Sequence, residues 1–181
     1  MTGRTRAELR HRLRPFLLTP LIIAADQLSK VLVVRNIEPL RTAGERIEVL
    51  GTFLQFVFTQ NLGVVFGLGN QIGPVVRTVL FIGAPILVLA AVVLYLLRSD
   101  EPTRFQRWVL AGIVGGGIGN LIDRIARADG VVDFILVRMY GLFGMEYFPV
   151  FNLADSALTV CAILMVGSVV FAGRGGARPG K

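Results

Sequence analysis

Residues 148–157 read FPVFNLADSA, and they open an apolar run that continues to about Ala172. Asn152 and Asp155 sit just inside its start. A carboxylate in a segment of membrane length costs about 2.5–3.5 kcal/mol near mid-bilayer, so it marks function more often than packing. The rest of the chain supports the membrane reading: 54% of its 181 residues are apolar, and several stretches approach the length that crosses a bilayer. The expected fold class is an all-α membrane protein, a four-transmembrane-helix bundle forming a single integral membrane domain over 1–181. Its spans are expected at about 16–34, 74–97, 108–125 and 148–172, with extramembrane segments at 35–71 and 126–147.

The net charge of +7 would point to nucleic acid in a soluble protein. Here the basic residues flank apolar runs, so membrane topology accounts for them and no nucleic-acid partner is expected. The one cysteine, Cys161, lies deep in the last apolar run, and the one histidine, His11, lies in a basic arm. A disulfide within one chain is excluded, and metalloprotease, Ser-His and Cys-His readings lose the residues they need. Ser29 adjoins Lys30, but neighbours in a helix do not face each other, which argues against a serine-lysine peptidase.

Arginines 4, 6, 10, 12 and 14 precede LLTPLIIAAD, a pattern shared with cleavable secretory signals. The apolar pattern resumes at 31–34, which favours an uncleaved first span holding Asp26, Gln27 and Lys30. Between the first two spans, IEVLGTFLQFVFT at 47–59 reads as strand, with Gly51 a turn or bulge candidate; residues 131–137 read as a shorter strand. Arg77 is placed to snorkel from the first turn of the second span. The third span carries glycines at 112, 115, 116, 117 and 119. Their small-xxx-small spacing favours close helix packing, and the run lacks the Gly-Lys-Ser/Thr ending of a phosphate loop.

Four spans put both termini on one side. The N-terminal arm, the loop at 98–107 and the tail hold 11 Lys and Arg against Glu8, Asp100 and Glu101, while the remainder holds eight against nine acids. By the positive-inside rule the first set is cytoplasmic, so 35–71 and 126–147 face outward. Asn120, Asp123 and Arg124 then end the third span at the same surface where Asn152 and Asp155 open the fourth. If that helix starts near Pro149, Asp155 lies about 9 Å in, at the outer edge of the bilayer. Asp133 follows the third span closely enough to meet it. Two carboxylates sharing a proton supply one acid and one base and can direct water at a carbonyl without metal or cofactor.

The blocks DQLSK (26–30), NLGVVFGLG (61–69), GGGIGNLIDR (115–124), VVDF (131–134) and FNLADSA (151–157) resemble those of the lipoprotein signal peptidase (type II signal peptidase) family, in order and over roughly 22–170. That resemblance implies an intramembrane aspartyl endopeptidase of the bacterial inner membrane. It would remove signal peptides from prolipoproteins by hydrolysing the bond before a diacylglyceryl-modified cysteine, close to the outer leaflet. It implies Asp133 and Asp155 as the catalytic pair. As substrate-binding or site-organising residues it implies Asp26, Lys30, Asn61, Gly63, Asn120, Asp123, Arg124, Asn152 and Ala154. It further implies a small extracytoplasmic β-cradle, a short outward helix, lipid-modified substrates and membrane lipids as partners, and no obligate protein partner. Val64 and Val65 stand where the family commonly has small alanines, which bears on the shape of the nearby groove.

Each residue also has a plainer reading. Asp155 can be a helix N-terminal acid favoured by the macrodipole, and Asp133 a solvated loop acid that only the VVDF match lifts above that reading. Asp26 and Lys30, four apart, read first as a structural ion pair and second as substrate positioners. Arg124 reads as an organiser of the site. A small transporter using Asp26, Lys30, Asp123 and Asp155 as an ion path is the rival from another class. It predicts polar groups right across the membrane, whereas the second span below Arg77 and the fourth below Asp155 are nearly free of charge.

Overall fold

The computed structural model of the chain describes residues 12–40, 45–62 and 73–175, with side chains as far as Phe171. Among the described residues four helices are long and apolar enough to cross a membrane. A 3-10 turn over Arg14–Leu17 leads into α1, Leu18–Asn36. Then come α2, Pro74–Arg98, α3, Arg104–Ala126, and α4, Leu153–Gly175. A three-stranded antiparallel sheet lies outside the helices, with β1 (Ile47–Leu50), β2 (Leu54–Asn61) and β3 (Val131–Val137) in sequential order.

α3 is the central helix, packed against the other three. Its glycines allow this: a Cβ on Gly115 would press on Ile22 and the Thr19 carbonyl of α1, and one on Gly116 would meet the Ala154 carbonyl of α4. α2 is interrupted by a π-helical turn at Val79–Gly83. Pro85 explains it, because its ring has no N–H to donate and collides with the carbonyl four residues back, at Phe81. At the end of the bundle away from the sheet, Arg107 donates to the carbonyls of Leu96 and Ser99 at 2.8 and 2.7 Å, and Arg12 to those of Leu97 and Ser99, capping α2.

Two span boundaries differ from expectation. α3 begins at Arg104 rather than about 108, because Thr103 and Gln106 form a reciprocal capping box that adds a turn. α4 begins at Leu153 rather than near Pro149. Residues 148–151 run alongside β3, with Phe148 N–H donating to Val137 O at 2.8 Å and Ile135 N–H to Phe151 O at 2.7 Å. Pro149 therefore sits in an extended edge segment, where its missing N–H costs nothing.

The sheet follows the sequence pattern. The predicted strand over 47–59 is a hairpin broken at Gly51, whose φ of 51° is left-handed, and β3 has the expected bounds. A bulge in β2 sets the four residues from Phe56 to Thr59 against the three from Ile135 to Asp133, so the successive residues Val57 and Phe58 are both buried. Val132, Phe134 and Phe58 cluster with Val33 and Ile37 at the end of α1, seating the sheet on the bundle. By strand alternation Asp133 faces away from that cluster.

Candidate active site

Asp133 is 2% exposed, and its carboxylate accepts from Asn61 Nδ2 at 3.0 Å and Asn152 Nδ2 at 2.7 Å. The sheet register makes the first contact: Thr59 lies opposite Asp133, which puts Asn61 on the diagonal, same-face position. Asp155 accepts from Asn120 Nδ2 at 2.6 Å and from the Asn152 backbone N–H at 3.2 Å, while Asn152 Oδ1 accepts from the Asp155 N–H at 2.9 Å. Asn152 and Asp155 are thus N-cap and N3 of α4 in a reciprocal capping box. The helix-terminal reading of Asp155 is correct as geometry, and Asp155 lies in the first turn rather than two turns deep. The capping also fixes the carboxylate's direction.

Asn152 and Asn120 join the two acids, since Asn152 Nδ2 also reaches Asn120 Oδ1 at 3.0 Å. Behind them lies a buried charge cluster. Lys30 is fully buried, and its three N–H donors find Asp26 Oδ2 at 2.8 Å, Asp123 Oδ2 at 2.9 Å and Asn120 Oδ1 at 3.2 Å. Asp26 also accepts from the N–H of buried Ala154 at 3.0 Å, and Asp123 from the Val132 N–H at 3.1 Å. One ammonium therefore ties α1 and α3 together, and its two carboxylate partners hold the start of α4 and the start of β3. The structural pairing expected of Asp26 and Lys30 is present, with Asp123 as an additional member. A Cβ at Gly119 would lie 2.8 Å from Asp26 Oδ2, so the glycine makes room for that carboxylate.

Two contributors carry no role in the sequence reading. Arg127 Nε pairs with Asp123 Oδ1 at 3.1 Å, balancing the cluster as two anions and two cations. Gln27 Nε2 reaches Asp26 Oδ2, Asp123 Oδ1 and the Gly119 carbonyl at 3.0–3.3 Å. The Asp123–Arg127 spacing of four was the available signal for the first; Gln27 had none beyond being polar in an apolar span. Arg124 lies half-buried within electrostatic reach of Asp155, Asp133 and Asp123. Gly63, Val64 and Val65 lie outside the described residues. Among the described residues no group of three or more His, Cys, Asp and Glu is placed to hold a metal ion.

Burial pushes the Asp133 carboxyl up from its ordinary 3.8 to about 6, repulsion by Asp155 adds to this, and the amides of Asn61 and Asn152 oppose it. A proton is therefore held on Asp133 well above the usual carboxylate range, beside a second acid anchored by amide donors. Such a pair has the acid and base needed to hydrolyse an amide.

Relatives of the chain are peptidases. A sequence model of the family described as signal peptidase (SPase) II matches residues 18–171. The lipoprotein signal peptidase of Treponema denticola is 46% identical over 149 residues, 82% of this chain and 84% of that protein. The one from Treponema pallidum is 40% identical over 86% of this chain and 82% of its own length. A solved bacterial membrane enzyme, determined by the in meso method at 2.3 Å resolution, superposes with a TM-score of 0.75 at 25% identity, covering 93% of this chain and 94% of that one. Fold and relatives together define a membrane enzyme that hydrolyses peptide bonds. Within that class, the chain belongs to the signal peptidase II family.

Proposed function

We propose that the protein is an aspartyl endopeptidase that removes the signal peptide of prolipoproteins by cutting before a diacylglyceryl-modified cysteine. The observation that carries this reading is the bridging of Asp133 and Asp155 through Asn152 and Asn120. In it, Asp155 takes a proton from water, the hydroxyl adds to the scissile carbonyl, and Asp133 donates its proton as the C–N bond breaks. Asn152 and Asn120 hold the two carboxylates in register, and Arg124 faces the charge that develops between them. The protein resides in the bacterial inner membrane with both termini cytoplasmic. The pair lies near the outer leaflet, where water and a lipid-anchored peptide both reach it.

The substrate claim is tested by incubating purified protein with a prolipoprotein peptide carrying the diacylglyceryl group and with its unmodified twin. Cleavage of the modified peptide, with the twin cut at least about tenfold more slowly, is the expected result. That margin corresponds to about 1.4 kcal/mol of binding drawn from the buried acyl chains. Equal rates on the two would refute the claim.

A further inference from the structure

A cavity of about 150 Å³ opens at the same end of the bundle as the polar cluster. Its walls include Arg77, Thr78, Phe81 and Ile82 from α2, and Arg124 and Arg127 from the end of α3. Three guanidinium groups line it, and no Asp or Glu does among the described residues. Arg127 is committed to Asp123, and Arg124 faces the acids of the candidate active site. Arg77 has no ion-pair partner among the described residues. Arg77 Nε and Nη2 and Arg124 Nε are shielded from solvent and have no hydrogen-bond partner among the described residues. Buried cationic donors left unmade are costly, and a snorkelling arginine would avoid that cost by turning to water.

Phe81 and Ile82 belong to the π turn forced by Pro85, and turns of this kind recur where a helix wall is opened at a site. Arg77 lies in the first turn of α2, with Arg124 in the last turn of α3 and Arg127 just past its end, at the end of the apolar spans where a bilayer would place its headgroups. Val75, Val79 and Leu80, on the same stretch of α2 but not among the residues lining the cavity, are exposed apolar side chains. A guanidinium fork matches a phosphate's oxygens in geometry and charge, whereas a neutral ester carbonyl would leave the Arg77 charge uncompensated.

We propose that this cavity binds the phosphate of a membrane phospholipid through Arg77 and Arg124, with the acyl chains lying against the apolar face of α2. The site borders the candidate active site and shares Arg124 with it, but it rests on Arg77 and stands if the Asp133/Asp155 reading fails. The test uses the full chain in neutral detergent, titrated with dioleoylphosphatidylglycerol, with dioleoylglycerol and with inorganic phosphate. Binding is followed by native mass spectrometry and by Tm. The phospholipid should be retained as one adduct and raise Tm, dioleoylglycerol should do neither, and inorganic phosphate should protect only weakly. Arg77→Gln should weaken phospholipid retention at least about tenfold, as expected for lost charge-assisted hydrogen bonds, and Arg77→Lys should weaken it less. Unchanged retention in Arg77→Gln overturns the proposal. So does equal retention of dioleoylglycerol, which assigns the cavity to acyl glycerol, or protection by free phosphate as strong as by the lipid, which assigns it to a soluble anion. If Arg77→Gln does not fold, the wild-type comparison of phospholipid with dioleoylglycerol still decides.

Discussion

Asp133 is buried where its charge is poorly solvated, and this one placement links stability to chemistry. Its pKa of about 6, against the ordinary 3.8, means the native chain holds this proton more tightly than the unfolded chain does. Its contribution to stability is therefore complete at low pH and declines as pH rises through that window. Tm should fall between about pH 4 and pH 6–7 by an increment missing from Asp133→Asn. The same proton is the proposed general acid, so kcat/KM should fall on the alkaline side as it is lost. Asn61 stabilises the ionised form. Removing it in Asn61→Ala should raise the Asp133 pKa and move the alkaline limb to higher pH. A limb that stays in place, or moves down, in a pH–rate profile would separate Asn61 from the titrating group.

At the scale of elements, helix approach decides whether the polar groups meet at all. A Cβ on Gly116 would lie 2.5 Å from the Ala154 carbonyl and 2.9 Å from Leu158 Cγ, whereas one on Gly167 would meet nothing within 4 Å. Gly116→Val should therefore cost about 1–3 kcal/mol by overpacking and lower turnover by displacing the first turn of α4. Gly167→Ala should be neutral or slightly stabilising. Thermal melts in detergent, paired with a cleavage assay, separate the two. Elements of this kind were legible where a local rule governs them. The four spans follow from apolar length, and β3 from its run of β-branched residues. The start of α4 was not legible from Pro149, because residues 148–151 pair with a strand eleven or more positions earlier, and a non-local ladder overrides the local proline signal. The N-x-x-D spacing of Asn152 and Asp155 was the better guide, being a capping pattern. Asp26, Lys30, Asp123 and Asn120 could be picked out as unusual polar residues in apolar spans. Which acid Lys30 serves, and that it serves two, depends on helix rotation that no spacing rule supplies.

For the whole molecule, the sheet and the polar cluster gather at one end, and the arginine-capped end of α2 lies at the other. In the proposed orientation, which rests on the charge distribution, the sheet end faces outside the cell. In a Cys161→Ser background, a membrane-impermeant maleimide added to intact cells should label Glu48→Cys and leave Glu101→Cys unlabelled until the cells are opened. The reverse pattern would invert the orientation. The proposed chemistry requires the two acids to act as a unit. Its most direct test is turnover of a diacylglyceryl-modified prolipoprotein peptide by purified wild type, Asp133→Asn and Asp155→Asn, each shown by its melt to be folded. Loss of at least about a thousandfold in both variants is the predicted result, equivalent to roughly 4 kcal/mol of transition-state stabilisation. Near wild-type turnover in either folded variant would contradict it.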